Sequence, residues 1–587
     1  MRAFQIQFKM NTSAKNLLNR NSTILLFCVF ILITYIKCVL FEHVVYSEIN
    51  TQFLSNHLPK IIISIFIGSP ILILKKKNAW YATILSLIID CWFVANFVYS
   101  RYNGSPIDAM VLSMAGNMDG FWNSVFLFLE FKIDILPFLL TCSLIPFLFL
   151  KCQQKEITTF ICMLLSLYPL SFLSHYMTVR EKQYWVPETK LEPTNLGKVF
   201  HIATNVSNPN ENVSHISYKS DAEANSGIHL LINDLILLTA LQKNNNVKKL
   251  TENEVNLLHK EGYFSDLSDY KKFDSKLIII LVESMESWIL TEEAMPNLWN
   301  YMQNHNHIFA SKMISQTRFG GSADGQMILN TGLLPLYYGA ACYRFPNNTY
   351  PAIAKLAKGK SLCMLPHKLD VWNQVGMSLA YGYTDNVTLD FDDEVLFREL
   401  NKYIEKDEYQ VIQLLTMSTH AYFDAVSSKS KLNTDPNMPI YEQNYLKSFH
   451  YVDEQMGKFL SKIETSEAFK DLTIVITGDH TIFPKDKRDE LMEYSKSHNN
   501  IYYPEEYTCA LILSNKLDKQ IRIDHVSYQM DIYPTLTSLL ECGYKNYRGI
   551  GKNLKERNLT PQEIEYNNEI EYSNLIISSN FFGLNND

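Results

Sequence analysis

Two apolar stretches of the chain end in residues that could bind a metal ion. LIIILVESMESW (277–288) is a β-branched run that ends at Glu283, and TIVITGDH (473–480) is a similar run that ends at Asp479 and His480. A continuous apolar run of this kind is typical of a buried parallel strand, and ligands bind at the carboxyl ends of such strands. Carboxylate and imidazole groups suit a hard or borderline divalent ion. The two strand ends therefore predict part of a metal site.

Each of these residues also has a simpler interpretation. Asp479 and His480 are adjacent, so both can reach one ion only if the chain leaves the strand in a loop, which Gly478 permits. An Asp-His pair alone is typical of a surface turn, and a strand-end glutamate such as Glu283 is often only a salt-bridge partner or a helix cap. The metal interpretation therefore depends on a further group at the same place.

A hydroxyl group in QTRFGGSADGQM (316–327) could be that further group. Ser322 follows Gly320 and Gly321 and precedes a helical pattern over 322–333. Serine is favoured at the N-cap of a helix, so capping is the simpler role. A hydroxyl at a helix N-terminus can also act as a nucleophile, because free amides and the helix dipole stabilise an alkoxide and phosphoryl oxygens there. Metal coordination would activate it further. The two roles do not exclude each other.

Composition places these motifs in a chain with more than one region. At 587 residues the chain is longer than one ordinary domain. Its net charge of −8 gives no basic surface that would favour a nucleic-acid partner. Nearly all of the long apolar runs lie before residue 177.

Five segments in this first part have the length and composition of transmembrane helices: 23–41, 59–74, 79–99, 131–150 and 157–176. Lys and Arg residues occur before the first segment, between the second and third, and between the fourth and fifth, whereas the alternate loops are poor in them. The positive-inside rule then predicts a multi-pass protein of the cytoplasmic membrane, with its N-terminus inside and its C-terminal region extracytoplasmic.

Short β-branched runs alternate with helical patterns after residue 273, which predicts an α/β domain. We expect strands at 277–283, 308–315, 411–417, 473–478 and 509–514, and helices at 296–304, 322–333, 441–463 and 526–541. The predicted regions are a five-span domain (1–176), a linker with an amphipathic helix near 227–242 (177–272), the α/β domain (273–556) and a peripheral polar tail (557–587). An extracytoplasmic domain would allow a Cys342–Cys363 disulfide, with two unpaired buried thiols as the alternative.

The order of the motifs resembles that of the lipoteichoic acid synthase-type phosphoglycerol transferases, a sulfatase-like branch of the alkaline phosphatase superfamily. The matching stretches are LVESMES, QTRFGGSADGQM with NTGLLPL, HKLDVWNQVGMSLAYGY (367–383), TMSTHAYF (416–423), NYLKSFHYVDEQMGKFL (444–460), TGDH (477–480) and SYQMDIYPTL (527–536). Members of that family have five membrane spans followed by an extracytoplasmic sulfatase-like α/β domain with a mostly parallel sheet. The resemblance covers the spans and about residues 275–555.

The resemblance implies a metal-bound nucleophile. Glu283, Ser322, Asp479 and His480 would bind one divalent ion, which is Mn²⁺ in the family, although Zn²⁺ and Mg²⁺ suit the same ligand types. Ser322 stands where the family has a threonine, a change that retains the hydroxyl group.

The resemblance also implies substrate-binding residues. His420 lies in the position of the family's substrate histidine, and Trp372 lies in the stretch that recognises the phosphoglycerol group. Gln374 stands where the family has a phosphate-binding arginine, and a neutral amide cannot clamp a phosphate through charge. His367 and Arg318 are weaker candidates for polar contacts near the pocket.

The expected function is transfer of a phospholipid head group, from phosphatidylglycerol or phosphatidylethanolamine, onto a glycolipid or glycan through a covalent Ser322 intermediate. Phosphoethanolamine transfer is one alternative, and sulfatase or phosphodiesterase hydrolysis is another. The Cys/Ser-x-Pro-x-Arg sequence of formylglycine sulfatases is absent after Ser322. A degenerate membrane sensor or assembly protein is the non-enzymatic alternative, but such a protein would be expected to lose one of the four metal-site residues.

Overall fold

The structure is a computed structural model that describes residues 12–46, 57–74, 77–103, 107, 129–148, 227–228, 231, 249–260, 271–318, 320–336, 340–366, 371–466, 470–483, 485–498, 502, 504–544, 547–556 and 567–584. The chain divides into two compact units, Met1–Asn244 and Asn245–Asp587. The apolar helices lie in the first unit, and the β-sheet lies entirely in the second.

The described helices of the first unit are α1 Thr12–Tyr46, α2 Leu58–Gly68, α3 Asn78–Asn103, α4 Phe131–Asp134, α5 Leu136–Cys142 and α6 Ile145–Leu148. Three described segments are long and apolar enough to cross a membrane: Thr23–Val45, Asn78–Arg101 and Phe131–Leu148. They agree with the first, third and fourth predicted spans.

The other two predicted spans have different outcomes. The second, 59–74, contains the shorter apolar helix Lys60–Leu72, which ends in a 3₁₀ turn at Ser69–Leu72 after Gly68. The fifth, 157–176, lies outside the described residues, as does most of the predicted helix at 227–242. The number of five spans therefore stays a prediction.

A fully buried ion pair joins three of the apolar helices. Lys37 Nζ on α1 lies 2.5 Å from Asp90 Oδ1 on α3, and both side chains are inaccessible to solvent. Lys37 also donates to Ser86 Oγ and to Thr141 Oγ1, at 2.6 Å each, and Thr141 on α5 donates to Asp90 Oδ2 at 2.5 Å. Charges in an apolar environment are costly unless they are paired and hydrogen-bonded. The pair therefore fixes how α1, α3 and α5 pack.

The second unit is built on one mostly parallel sheet. Its described strands are β1 Lys276–Val282, β2 His307–Ile314, β3 Ser361–Leu365, β4 Asp385–Thr388, β5 Val411–Leu415, β6 Leu472–Gly478, β7 Thr508–Ser514, β8 Ile521–Ile523 and β9 Ser527–Tyr528. Their order is β4-β3-β5-β1-β6-β7-β2-β8, and β9 pairs with β2. Only the pairings of β7 with β6 and with β2 are antiparallel among these strands. The predicted α/β class with a mostly parallel sheet is confirmed.

The described helices of this unit are α7 Glu252–Lys260, α8 Pro296–Asn304, α9 Ser322–Thr331, α10 Ala341–Arg344, α11 Gln374–Ala380, α12 Asp393–Lys406, α13 Ile440–Glu464, α14 Lys485–His498, α15 Ile532–Leu539, α16 Asn567–Ser578 and α17 Phe581–Leu584. The four predicted helices correspond to α8, α9, α13 and α15. The prediction of α8 matches at both ends, because Pro296 is favoured in the first turn of a helix.

The centre of the sheet brings the site-bearing loops to one edge. β1 pairs in parallel with β5 on one side and with β6 on the other. The register sets Leu281 opposite Leu415 and Val282 opposite Gly478. Because parallel strands end at the same edge, the loops that follow β5, β1 and β6 are neighbours.

The expectation of a peripheral polar tail is wrong for residues 567–584. α16 is buried over most of its length, and Ser573 Oγ accepts a hydrogen bond from Leu334 N–H at 2.9 Å. Asn348 Nδ2 donates to the carbonyl oxygen of Ile577 at 2.6 Å. The Asn- and Ser-rich composition that predicted solvent exposure supplies buried hydrogen bonds instead.

The two cysteines that could have formed a disulfide are not joined by one in the described structure, and both are buried. Cys342 lies on α10 and Cys363 lies in β3. Gln413 Nε2 lies 3.7 Å from Cys363 Sγ. The structure therefore has the alternative, in which both residues remain buried thiols.

Candidate active site

Glu283 follows β1 directly, and the loop after β5 holds its backbone from two sides. The Glu283 N–H donates to Thr416 Oγ1 at 3.0 Å, and Thr419 Oγ1 donates to the Glu283 carbonyl oxygen at 2.6 Å. The Ser284 hydroxyl donates to Glu283 Oε1 at 2.8 Å. The buried carboxylate is thus fixed at the carboxyl edge of the sheet.

Asp479 and His480 lie at the same edge, after β6. Asp479 Oδ1 accepts from the backbone N–H groups of Ser284 and His480, at 2.8 Å each. Gln529 Nε2 donates to the Asp479 carbonyl oxygen at 2.8 Å. His480 Nε2 lies 3.3 Å from Glu283 Oε1 and 3.5 Å from Asp479 Oδ2. A loop directly after the strand does aim both side chains at one point.

Ser322 is the first residue of α9 and directs its hydroxyl into this group. Ser322 Oγ donates to Glu283 Oε2 at 2.9 Å and lies 3.4 Å from His480 Nε2. The N-cap position belongs to Gly321, whose φ of 46° is strained for residues with a side chain. Ser322 therefore contacts the acidic group rather than capping its own helix.

α9 packs tightly against the second strand end. A Cβ atom on Gly325 would lie 2.6 Å from the carbonyl oxygen of Asp479, far inside normal contact distance. The absence of a side chain at this position lets the helix approach the Asp479 backbone and sets the reach of Ser322.

Asp324 organises the loop in front of the serine. Its Oδ2 accepts from the N–H groups of Arg318 and Gly320, at 2.9 Å each. Burial raises the pKa of Asp324 to about 6, against the opposing effect of these two donors. The carboxyl group closes the turn that presents Ser322.

Glu283, Asp479 and His480 change one another's pKa values. Burial alone would raise the pKa of Glu283, but the adjacent His480 holds it well below its usual range. Burial and the negative charge of Glu283 raise the pKa of Asp479. Burial alone would lower the pKa of His480, but the two carboxylates raise it above its ordinary value. The buried cluster thus favours the presence of positive charge.

A divalent ion fits this cluster. Ligand atoms of Glu283, Asp479 and His480 all lie within 4.8 Å of one another. Asp479 Oδ2 is buried and accepts no hydrogen bond from the described residues. A buried carboxylate oxygen in that state is costly unless a cation is bound beside it. The four residues that would hold the ion are Glu283, Ser322, Asp479 and His480.

Comparisons with known proteins agree with this architecture. Residues 9–186 match the family model of the lipoteichoic acid synthase N-terminal domain, and residues 367–542 match the sulfatase family model. The chain therefore combines a region similar to the lipoteichoic acid synthase N-terminal domain with a region similar to the sulfatases.

Individual relatives are distant. Lipoteichoic acid synthase 2 of Bacillus subtilis (strain 168) is 20% identical over 309 residues, which are 47% of this chain and 46% of that protein, so the match spans about half the length of this curated relative. The integral membrane lipooligosaccharide phosphoethanolamine transferase A of Neisseria meningitidis is 10% identical, with a TM-score of 0.53 over 89% of this chain and 96% of that chain. The lipoteichoic acid synthase LtaP of Listeria monocytogenes is 20% identical, with a TM-score of 0.43 over 52% of this chain and 81% of that chain.

The structure places two of the three residues that the family resemblance assigned to substrate close to the cluster. His420 follows the two threonines that hold Glu283, and its positive charge helps to lower the pKa of Glu283. A ring carbon of Trp372 would lie 3.9 Å from a Cβ atom on Gly321, so the indole borders the start of α9.

The remaining candidates are less closely joined to the cluster. Gln374 is the first residue of α11 and is 9% exposed; within the described residues no hydrogen bond joins it to the four metal-site residues. Arg318 contributes its backbone N–H to Asp324. His367 lies outside the described residues.

Sequence reasoning missed the residues that hold this site in place. Thr416, Thr419, Gln529 and Asp324 are polar residues in loops or helix first turns, and each acts on a backbone group. Thr416 and Thr419 lie in TMSTHAYF, a stretch that was singled out for its histidine. Their position between the end of a strand and that histidine was the one signal available.

Proposed function

We propose that this protein is a membrane-bound, metal-dependent transferase that moves a phospholipid head group of the phosphoglycerol type onto a glycolipid or glycan hydroxyl. One observation carries the proposal. The hydroxyl of Ser322 lies within hydrogen-bonding distance of Glu283 and His480, beside a buried Asp479 oxygen that accepts no hydrogen bond from the described residues. A nucleophile next to a cation site is what displacement at phosphorus requires.

In the first half-reaction Ser322 Oγ forms a bond to the phosphorus of the donor lipid, and the phosphorus–oxygen bond to diacylglycerol breaks. The hydroxyl proton leaves toward Glu283, which already accepts it as a hydrogen bond at 2.9 Å. Diacylglycerol leaves as an alcohol after taking up a proton, for which His420 is the proposed donor. A divalent ion held by the four metal-site residues, Mn²⁺ in our proposal, would lower the pKa of the Ser322 hydroxyl and neutralise negative charge on the transferred group.

In the second half-reaction an acceptor hydroxyl gives its proton to His420, which lost one in the first half-reaction, and attacks the phosphorus that Ser322 carries. Ser322 regains its proton, and the head group is now esterified to the glycolipid or glycan. Trp372 borders the start of α9, which is a suitable position to cover the glycerol carbons while excluding water. Gln374 lies further along the same segment and would contribute a neutral polar contact.

The membrane helices support a lipid donor. Three described helices can cross a membrane, and the basic loops predict that the second unit is extracytoplasmic. The similarity to lipoteichoic acid synthase 2 of Bacillus subtilis supports the same type of chemistry. We propose the outer face of the cytoplasmic membrane as the place of reaction.

The test is a donor assay on the full chain in detergent. Wild-type protein and Ser322→Ala are incubated with phosphatidylglycerol or phosphatidylethanolamine, with and without Mn²⁺. Diacylglycerol is quantified, and the peptide containing Ser322 is analysed by mass spectrometry. We expect diacylglycerol and a phosphoglycerol adduct on Ser322 with phosphatidylglycerol in the wild type alone.

Each outcome has a defined meaning. An adduct from phosphatidylethanolamine alone would replace the phosphoglycerol assignment with phosphoethanolamine transfer. Diacylglycerol release with no transfer to any added sugar acceptor would indicate a hydrolase. Identical behaviour of wild type and Ser322→Ala, with no adduct from either lipid, would refute the transferase proposal.

A further inference from the structure

The loop that carries His420 has a second anchor besides Glu283. This loop, residues 416–420, leaves β5 at the carboxyl edge of the sheet. Thr416 and Thr419 attach it to the Glu283 backbone on one side. On the other side, Asp393 binds the residues between the two threonines.

Asp393 binds this loop through both carboxylate oxygens. Oδ1 accepts from the Met417 N–H at 2.8 Å, and Oδ2 accepts from the Ser418 N–H at 3.0 Å. The contact is reciprocal, because Ser418 Oγ accepts from the Asp393 N–H at 3.0 Å. Asp393 is completely buried and Ser418 is 2% exposed. Three hydrogen bonds thus join the start of α12 to two consecutive loop residues.

Helix capping does not explain Asp393. The N-cap of α12 is Asp392, whose Oδ1 accepts from the Glu394 N–H at 3.0 Å. The capping requirement of the helix N-terminus is therefore met by the preceding residue. The carboxylate of Asp393 is directed away from its own helix and into the loop.

His420 depends on the backbone of this loop for its position. Its N–H donates to the Met417 carbonyl oxygen at 3.0 Å, so the peptide unit that Asp393 binds also forms the turn leading to the histidine. His420 Nδ1 lies 3.0 Å from the carbonyl oxygen of Ala421. A carbonyl oxygen can only accept, so Nδ1 is the donor in this hydrogen bond.

We propose that Asp393 is a positioning residue for His420. Its carboxylate holds the Met417–Ser418 backbone, and this backbone sets the place and tautomer of the His420 imidazole. The catalytic part of this inference rests on the proposed function, in which His420 protonates the leaving group. The structural part, control of His420 by Asp393, does not.

The two hydrogen bonds from the Met417 and Ser418 N–H groups require two acceptor oxygens at residue 393. In Asp393→Asn one carboxylate oxygen becomes an NH₂ group, which faces a backbone N–H donor and cannot accept from it. Either Met417 or Ser418 then loses its partner, and the turn before His420 loosens. Asp392→Asn is the matched control, since asparagine is an equally good N-cap and the Asp392 side chain is hydrogen-bonded to Glu394, Lys429 and Tyr451 rather than to the 416–420 loop among the described residues.

The test uses the full chain in detergent and has a readout that does not need activity. His420 is modified with diethyl pyrocarbonate across a pH series, and the extent of modification of its peptide is measured by mass spectrometry. We expect Asp393→Asn to change the modification rate of His420 at least threefold. Asp392→Asn should match the wild type. Melting temperatures establish that each variant is folded.

Turnover of the lipid donor provides the second readout. We expect Asp393→Asn to lower kcat for diacylglycerol release about tenfold or more, with a smaller change in KM. Unchanged His420 reactivity in folded Asp393→Asn would overturn the inference, as would an equal change in Asp392→Asn. If wild-type protein released no diacylglycerol, the proposed function would fail, whereas the modification experiment would still decide the positioning role.

Discussion

The hydroxyl of Ser322 donates a hydrogen bond to the carboxylate of Glu283 across 2.9 Å, although the two residues are 39 positions apart in the chain. Ser322 is the first residue of α9 and Glu283 directly follows β1, so the start of a helix and the end of a strand lie at the same place. His480, 158 positions beyond Ser322, closes the same group at 3.4 Å. The proposed nucleophile and the proposed metal ligands therefore come from three chain segments that meet at one edge of the sheet.

Two substitutions of Ser322, one that removes the hydroxyl group and one that keeps it, test the role of that group. Ser322→Ala should lower the rate of diacylglycerol release by at least ~10³-fold, because the nucleophile is removed. Ser322→Thr keeps the hydroxyl group and should retain activity within about tenfold of the wild type. Steady-state kinetics with the favoured donor lipid measures both. Substantial turnover by Ser322→Ala would mean that another group attacks the phosphorus.

Metal removal should abolish activity and lower stability together. After EDTA treatment we expect Mn²⁺ to raise the melting temperature of the wild type and restore diacylglycerol release, because an ion that binds only the folded chain stabilises it. Asp479→Asn should show neither response, since one ligand oxygen is replaced by an amide nitrogen. Asp518→Asn, an exposed aspartate away from the site, is the control. Full activity after exhaustive chelation would contradict a metal-dependent mechanism.

The close approach of α9 to Asp479 can be tested at a glycine. A methyl group at residue 325 would lie 2.6 Å from the Asp479 carbonyl oxygen, so Gly325→Ala must push the helix and Ser322 away. Misplacement of a reacting group by about 1 Å can cost ~10²-fold in rate, and we expect a loss of that order together with weaker Mn²⁺ binding. Gly543→Ala is the matched control, because a Cβ atom there would meet nothing within 4 Å. Equal kinetics for the two variants would show that the contact does not set the position of Ser322.

The buried ion pair of the first unit predicts a rescue. Lys37→Met leaves Asp90 charged and unpaired between apolar helices, which should destabilise the protein by roughly 3–5 kcal/mol, and Asp90→Leu should do the same to Lys37. The double variant removes both charges and should recover most of the loss in melting temperature. Lys77→Met, at an exposed lysine, should have little effect. A double variant as unstable as the sum of the single ones would contradict the pairing.

Asp393 should give a pH-dependent contribution to stability. Burial raises the pKa of its carboxyl to about 7, against the opposing donors from Met417 and Ser418. Its ordinary value is 3.8, so between about pH 4 and 7 the folded chain binds a proton that the unfolded chain releases. The free energy of unfolding therefore falls as pH rises through this window and levels off above it, by roughly 4 kcal/mol in all for this group.

The measurement is the difference in melting temperature between wild type and Asp393→Asn from pH 4.5 to 8. We expect the wild type to lose stability relative to the variant as pH rises. Charged or titratable groups near Asp393 include Asp392, Glu394, Lys429 and Tyr451, and all are retained in the variant. A difference that stays constant with pH would show that Asp393 does not titrate in this range. As pH rises, the free energy of unfolding falls, whereas the ionised form of Asp393 becomes more populated. Only this form accepts hydrogen bonds from both loop N–H groups, so the loop is held better while the fold as a whole is less stable.

The sequence was informative where a residue's role follows from its place in an apolar run. Glu283 and Asp479 could be located because each ends a β-branched stretch, and those stretches became β1 and β6 within one residue of the predicted bounds. Asp393 offered no such signal, since an acidic residue at the start of a helix is commonplace. Its partners lie 24 and 25 positions away in a loop, and only the parallel sheet brings them together.

Composition was misleading in two places for a related reason. The Asn- and Ser-rich segment that forms α16 reads as solvent-exposed, yet Ser573 and Asn574 are almost fully buried. Cys342 and Cys363 were open to either of two interpretations, because nothing in their spacing fixes whether α10 lies within reach of β3. Both outcomes depend on packing between elements that are distant in the chain.

The position of β6 between β1 and β7 also has a consequence for the order of folding. Glu283 and Ser322 come early, but Asp479 binds the Ser284 backbone from 195 positions away. Contacts of such high sequence separation form late, because long loops must close first. A partly folded chain that lacks β6 has Ser322 and Glu283 without Asp479 and His480 beside them. In the proposed mechanism the serine would therefore become reactive only once β6 has joined the sheet.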